Sequence, residues 1–262
     1  MSAGTSVRAI DGLEVGIYRE WAPPASLRSW LKCVWMRDTP EEHAETVPVL
    51  PDACTDVMYL DGSLQVAGPD TAVNPAWRPA GGRIVGIRFH PGSLASLVTP
   101  DLVELANRRV ALADVWPGDV PHLNALADEA AGRSVRDVAR LLLGEIAGRI
   151  AVAGQPDRVV TAAVAACLES RGPAHVRTLA ADLHVSERQL RRRSKRALGY
   201  GLKTLDRILR FQRFLRVAEQ APASGLASVA AAVGYADQSH LTRECQRLAG
   251  LSPATLLADR AM

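Results

Sequence analysis

Residues 178–199 read TLAADLHVSERQLRRRSKRALG, and residues 228–250 read SVAAAVGYADQSHLTRECQRLAG. The two stretches align from end to end, with Thr178 opposite Ser228 at an offset of 50 residues and Gly199 opposite Gly250 at an offset of 51. The second copy therefore has one extra residue in its central turn. The first copy holds six arginine and lysine residues and the second holds two, so the two copies share a sequence pattern but differ in positive charge.

Each copy begins with a short helix pattern. The segments LAADL and VAAAV follow a hydroxyl residue, Thr178 or Ser228, which can cap the start of a helix. Their small alanine side chains allow close packing between helices. The sequence therefore predicts a short helix at the start of each copy.

A longer helix follows each short one after a break. Ser186 and Gln189 form the capping-box pattern in the first copy, and Asp237 is a favourable N-cap in the second. Gly234 suits a turn with positive φ, and both long helices stop at a glycine suited to the C′ position. Short helix, tight turn and longer helix together predict two helix-turn-helix units.

The stretch between the copies predicts one linking helix. In YGLKTLDRILRFQRFLRVAEQAP, leucines recur with roughly helical period, and Pro222 closes the run. Some 18 helical residues span about 27 Å. With its flanking turns, this helix can set the two long helices about 34 Å apart, which is one turn of a DNA duplex.

Charge divides the chain at the small-residue stretch AVAGQP, residues 151–156. Residues 1–155 carry a net charge of −5, and residues 156–262 carry +8. A basic half is typical of a domain that binds a polyanion such as nucleic acid, although a solvated charged surface has the same composition. The long helix of the first copy concentrates this charge on the arc opposite its apolar face, which fits the donors that a major-groove helix needs.

The pattern of residues 157–262 resembles the DNA-binding domain of the AraC/XylS family of bacterial transcription regulators. The stretch VAAAVGYADQSHLTRECQRLAGLSPATL, residues 229–256, follows that family's glycine, aromatic, Asp-Gln-Ser-His, arginine and Gly-x-Ser-Pro pattern. Departures are Ser194 and Cys245, where the family has a core phenylalanine, and Leu256-Leu257, where it has Tyr-Arg. The resemblance implies DNA contacts from both long helices, at Arg188, Arg191, Arg192, Gln238, Ser239, His240, Thr242 and Arg243. On the first long helix we also expect contacts from Gln189 and from Lys195, which lies on the arc opposite the apolar face.

The N-terminal half alternates like half-buried strands in WLKCVWM (30–36) and RIVGIRF (83–89). Asp61-Gly62 predicts a type I′ hairpin turn, and after residue 93 the pattern becomes helical through LLLGEIAGRIAVA, residues 141–153. We therefore expect an α+β protein with a β-rich domain ending in helices at 1–150. An all-α domain with two helix-turn-helix units and a linker helix is expected at 157–262.

Two pieces of this half, LPDACTDVMYL (50–60) and VGIRFHPGSLASLV (85–98), resemble an N-terminal domain of unassigned function in a subgroup of these regulators. The resemblance implies a small-molecule sensor or a dimerisation surface, without choosing between them. FHPGS (89–93) suits either an ordinary strand-to-helix turn or an anion site. His43, Asp52, Asp56 and His90 have no metal-ligand spacing, and we expect no metal, cofactor or catalytic residue. Trp30, Trp35 and Trp77 are expected in the core or in a pocket wall.

Three classes of function fit parts of this pattern. The first is a sequence-specific transcription regulator; the second is an enzyme with a DNA-targeting tail, such as an alkyl-transfer repair protein; the third is a non-specific architectural DNA binder. The second needs a reactive cysteine and a cysteine cluster, but the four cysteines are scattered without a CxxC pair. The third should be basic throughout. We predict a cytoplasmic, non-enzymatic regulator without a membrane span, whose candidate partners are operator DNA, RNA polymerase, a small-molecule effector and a second copy of the chain.

Overall fold

The computed structural model describes residues 5–6, 18–170, 175–221 and 225–261. The N-terminal part is built from strands and helices in the order β1 (Thr5–Ser6), β2 (Tyr18–Trp21), β3 (Leu31–Asp38), β4 (Glu45–Val49), β5 (Thr55–Leu60), β6 (Ser63–Ala67), β7 (Asn74–Arg78), β8 (Arg83–Phe89), α1 (Leu102–Leu105), β9 (Arg109–Ala111), α2 (Leu112–Val115), α3 (Val120–Ala130) and α4 (Val135–Val152). The C-terminal part continues with α5 (Arg158–Glu169), α6 (Val176–Asp182), α7 (Glu187–Leu198), α8 (Leu202–Gln220), α9 (Leu226–Ala232), α10 (Gln238–Ala249) and α11 (Pro253–Ala261).

The strands form a seven-stranded antiparallel sheet in the order β1-β2-β3-β8-β5-β6-β9, and β4 pairs with β7 in a separate two-stranded sheet. Asp61 and Gly62 have φ values of 43° and 84°, so the turn between β5 and β6 is the expected hairpin turn. Strand β9 lies after residue 93, where the sequence predicted only helices. Its three residues pair with β6 at the edge of the large sheet. FHPGS leads into a single 3-10 turn, Leu94–Ser96.

The two faces of the large sheet have different partners, as the alternation of side chains requires. One face, with Val57, Ile87 and Phe89 fully buried, packs against α3 and α4 in the main core of this half. The other face carries Trp35 and Met58 and looks toward the two-stranded sheet and the C-terminal helices.

The expectation for Trp77 was wrong, whereas Trp30 and Trp35 are buried as expected. Trp77 is 62% exposed because it lies on the solvent side of the two-stranded sheet, opposite Thr46 on β4. A two-stranded sheet has no third layer on that side to cover an outward-facing side chain.

The C-terminal helices surround their own core, in which Leu190, Leu205, Phe211 and Leu241 are fully buried. The long helix α8 has 19 residues, about 28 Å at 1.5 Å per residue, and lies between the two helix pairs. Pro222, expected to close it, lies outside the described residues. The protein is therefore α+β, with a β-rich N-terminal part that ends in helices and an all-α part with two helix pairs and a linker helix.

Candidate nucleic-acid interface

The first helix pair is α6 and α7, joined by a turn in which His184 has a φ of 53°. Ser186 caps α7 through its Oγ, which accepts from the backbone N–H of Gln189 at 3.2 Å. The Gln189 side-chain oxygen in turn accepts from the backbone N–H of Ser186 at 2.9 Å. Gly199 ends the helix in the left-handed conformation. The predicted capping box and C′ glycine are both confirmed.

The second pair, α9 and α10, repeats this geometry. Gly234 takes the left-handed turn position with a φ of 85°, and Asp237 Oδ1 accepts from the backbone N–H of His240 at 2.6 Å. Gly250 ends α10 in the left-handed conformation. Both long helices are 12 residues long, so the two copies of the sequence pattern form two matching structural units.

The predicted caps of the short helices were wrong. Thr178 and Ser228 lie inside α6 and α9, which begin two residues earlier, after His175 and Gly225. Val176 and Leu226 pack against the C-terminal core at these starts. Burial of these apolar residues extends each helix past its hydroxyl residue.

On α7, the predicted contact residues are exposed along one side of the helix; they are Arg188, Gln189, Arg191, Arg192 and Lys195. Two further arginines of the helix are engaged by acidic residues instead. Arg193 lies 3.4 Å from Asp157, the N-cap of α5, and Arg196 donates to Asp101 at 2.9 Å. The face available to a polyanion is therefore the exposed side of the helix that carries those five residues.

On α10, the predicted residues divide into two groups. Gln238, Ser239 and Arg243 are exposed, but His240 and Thr242 are partly buried and bonded within their own unit. His240 Nδ1 accepts from the backbone N–H of Ala236 at 3.4 Å, and its ring meets the Tyr235 ring edge-on at 5.2 Å. Thr242 Oγ1 donates to the Gln238 carbonyl at 2.9 Å. These bonds leave the other imidazole nitrogen and the threonine methyl group for an outside contact.

Comparison with protein families gives two matches that do not overlap. Residues 179–259 match a helix-turn-helix domain, and residues 19–111 match a domain of unknown function, DUF6597. Residues 179–259, in the C-terminal region, therefore form an AraC-type helix-turn-helix domain. The protein is accordingly a DNA-binding transcription regulator. A search of curated proteins found no match.

Solved structures of ToxT from Vibrio cholerae are similar to most of this chain. A structure of ToxT at 1.65 Å resolution is 8% identical with a TM-score of 0.48, covering 87% of this chain and 98% of that one. An apo ToxT variant is 9% identical with a TM-score of 0.47, covering 87% and 97%. ToxT with a bound unsaturated fatty acid is 8% identical with a TM-score of 0.45, covering 87% and 95%.

The AraC-type domain is held against the N-terminal half at the ends of both long helices. A segment between β6 and β7, Gly68–Val73, reaches both, and we call it the bridging segment. A Cβ atom built on Gly199 would lie 2.7 Å from Pro69 Cγ, and one built on Gly250 would lie 3.9 Å from Val73 Cγ1. Sequence reasoning missed this contact, because no local pattern in residues 68–73 indicates which distant helices the segment meets.

The departures from the AraC-type pattern lie in the interior. Ser194 is fully buried in α7, and its Oγ has no hydrogen-bond partner among the described residues. Cys245, at the matching position of α10, is also fully buried. Leu256 is buried in α11 and forms part of a cavity wall. Cys245 and Leu256 therefore remain part of the buried core, while Ser194 has a polar atom without a partner among the described residues.

Three candidate residues of the N-terminal half, Asp52, Asp56 and His90, are held in structural contacts. Asp56 accepts from Trp35 Nε1 at 2.8 Å and pairs with Arg88 at 3.0 Å, and His90 Nε2 lies 3.1 Å from the Arg28 carbonyl. Within residues 18–170, 175–221 and 225–258, no three His, Cys, Asp or Glu side chains are grouped as a metal site would require. In the part of the chain that the structure describes, we find no helix with the length and apolar character needed to cross a bilayer.

Proposed function

We propose that this AraC-type regulator recognises a specific operator by placing α7 and α10 in two successive major-groove segments of one duplex. The observation that carries the proposal is the repeated geometry of the two units. Each long helix has a side-chain cap, an exposed polar face and a left-handed glycine at its end, and α8 separates the units. Proteins that use such helices contact base edges through residues near the helix N-terminus.

The chemistry of the exposed side chains supports different tasks for the two helices. Arginine binds guanine or phosphate through two parallel hydrogen bonds, and the amide of Gln238 can pair with an adenine edge in the same way. On α7 the positive charge is concentrated, so this helix supplies most of the attraction to the phosphate backbone. On α10 the uncharged groups predominate, so this helix contributes mainly sequence preference.

We further propose that residues 1–150 form a sensor domain and residues 157–262 the DNA-binding domain, acting in the cytoplasm. A cavity between the large sheet and the C-terminal helices supports a sensor role for the N-terminal domain over a dimerisation role. The state of the cysteine thiols supports a regulator without alkyl-transfer activity. All four cysteines are buried, and burial raises the pKa of Cys33 to about 12 and that of Cys167 to about 11. Alkyl transfer needs an accessible thiolate, which these sites disfavour.

The test is selection of bound duplexes from a random pool by the full-length protein. We expect a motif in two parts whose centres lie about 10 base pairs apart, one helical turn of DNA. Arg192→Ala should remove preference in one part and Arg243→Ala in the other, each at a cost of about 1–3 kcal/mol on the selected site. Lys203→Ala, a control on α8, should keep both parts. A motif with one part, or equal losses on selected and random DNA for both arginine variants, would contradict the proposal.

A further inference from the structure

A cavity of about 350 Å³ lies between the large sheet, the two-stranded sheet and the C-terminal helices. This volume is in the range of small-molecule sites, which run from about 300 to 1,000 Å³. Part of its wall is apolar, from Trp35, Val49, Met58, Leu251 and Leu256. The last two belong to the DNA-binding domain, so an occupant would touch both halves of the protein.

The polar part of the wall contains four arginines, three of which are neutralised. Arg88 pairs with Asp56 at 3.0 Å and also lies 3.4 Å from Asp52 and 3.7 Å from Glu20. Burial lowers the pKa of Arg88, but the surrounding carboxylates outweigh burial and raise it well above its ordinary value. At this end of the cavity, every carboxylate of the wall contacts the Arg88 guanidinium.

The other end of the cavity has a different balance. Arg37 pairs with Glu45 at 3.0 Å, and Arg109 pairs with Asp70 at 2.6 Å. Glu45 is also the cross-strand neighbour of Arg78, but its Oε1 is occupied by Arg37. Because both nearby carboxylates are engaged in these ion pairs, Glu45 offsets the charge of Arg78 only in part.

Arg78 is the arginine of the wall whose charge is least compensated. No carboxylate of the described residues lies within ion-pair distance of its guanidinium, and its buried Nε has no hydrogen-bond partner among those residues. Its Nη1 donates to the carbonyl of Trp77 at 3.1 Å. Burial, and then the positive charges of Arg37 and Arg109, outweigh the attraction of Glu45 and lower the pKa of Arg78 to about 10. A partly buried cation with a buried open donor is costly unless a partner supplies the opposite charge.

We propose that this cavity binds a small organic anion, a carboxylate or phosphate carried on an apolar body, with its charged group on Arg78. This inference rests on the proposed function, because the ligand would be the effector of the regulator. A guanidinium presents its donors in a planar fork that matches both oxyanions, and the apolar wall accepts the body of the ligand. A cationic ligand is disfavoured, since Glu20, Asp52, Asp56 and Asp70 each already contact an arginine.

The bridging segment gives such a ligand a physical route to the DNA-binding helices. Gly68 and Asp70 of this segment line the cavity, while Pro69 and Val73 meet the ends of α7 and α10. Asp70 is held by Arg109 and by Asn74 Nδ2 at 3.1 Å. An anion beside Arg78 also competes for Arg109, and loosening of Asp70 moves the segment that touches both helix ends.

The test uses the full-length protein and three matched probes at millimolar concentration: phenylacetate, phenyl phosphate and the neutral phenylacetamide. Thermal unfolding and calorimetry measure binding. We expect at least one anion to raise the melting temperature while the amide does not, and the stronger of the two anions tells carboxylate from phosphate. Arg78→Gln should weaken binding of that anion about tenfold or more, the size of one lost charged hydrogen bond. Arg78→Lys should fall between, since it keeps the charge and loses the fork.

The control is Arg83→Gln, which removes a half-exposed arginine that pairs with Asp38 at 2.6 Å outside the cavity. This variant should bind the anion like the wild type. Absence of a shift with both anions, an equal shift with the amide, or equal binding by Arg78→Gln and Arg83→Gln would each overturn the inference. DNA binding of the wild type without probe tests the proposed function separately, so the two proposals can fail independently.

Discussion

The two long helices of the AraC-type domain are built alike and charged differently. The first copy holds six arginine and lysine residues and the second holds two. In the structure, some of these cations in each copy contact acidic side chains. Arg193 and Arg196 of α7 contact acidic residues, and Arg247 of α10 lies 3.8 Å from Glu244. When the cations that contact acidic side chains of the described residues are left out, α7 has four cations and α10 has one. The difference in charge between the two helices therefore persists. The two copies therefore share a scaffold and differ in charge, which supports the proposal that they contribute differently to DNA binding.

The largest expected effect concerns the glycines at the two helix ends. Gly199→Ala should destabilise the protein by about 3 kcal/mol, because the left-handed backbone disfavours a side chain and the new Cβ would lie 2.8 Å from the Leu102 carbonyl oxygen. Gly250→Ala meets only an ordinary contact with Val73 and should cost about 1 kcal/mol, the backbone penalty alone. Chemical denaturation measures both. Equal losses would show that the N-terminal half does not press on the first unit more closely than on the second.

A smaller effect separates the helices by their salt dependence. Replacing both Arg191 and Lys195 with alanine should flatten the slope of log affinity against log salt by about one to two units, since each phosphate contact contributes about 0.9. Gln238→Ala should leave the slope unchanged and lower the discrimination between selected and scrambled DNA. Binding titrations across a salt series give both quantities. A larger loss of slope from Gln238→Ala would reverse the roles assigned to the two helices.

The smallest effect compares the matched interior positions. Ser194→Ala should stabilise the protein by up to about 1 kcal/mol, because it removes a buried hydroxyl that has no partner among the described residues. Cys245→Ala should destabilise it by about 1 kcal/mol, because it removes a well-packed sulfur from the core. Melting temperatures of the two variants check the signs. A loss of stability in Ser194→Ala would indicate that its hydroxyl is satisfied in solution.

Local features of this fold were predictable from the sequence. The capping box at Ser186, the N-cap at Asp237, the turn at Asp61-Gly62 and the two C′ glycines each depend on a few neighbouring residues. The starts of α6 and α9 were predicted wrongly because distant packing of Val176 outweighed a local capping preference.

The candidate ligand site was not predictable, since its residues come from separated strands and helices. Arg78 has no special neighbours in the sequence, and it becomes unusual only when Arg37 takes Glu45 and Arg109 takes Asp70. The exposure of Trp77 likewise depends on which side of β7 faces solvent. Such properties follow from the register of strands that the local sequence does not specify.

The bridging segment has a consequence for the architecture of a promoter. Because one stretch of chain lies at the ends of both α7 and α10, we expect it to help fix the distance and the angle between the two units. Each base pair inserted between two half-sites both lengthens the duplex and rotates one half-site about its axis. A regulator whose two units are held at a fixed distance binds half-sites at one spacing and binds poorly when base pairs are added or removed. The length of DNA between half-sites then contributes to specificity together with the base sequence.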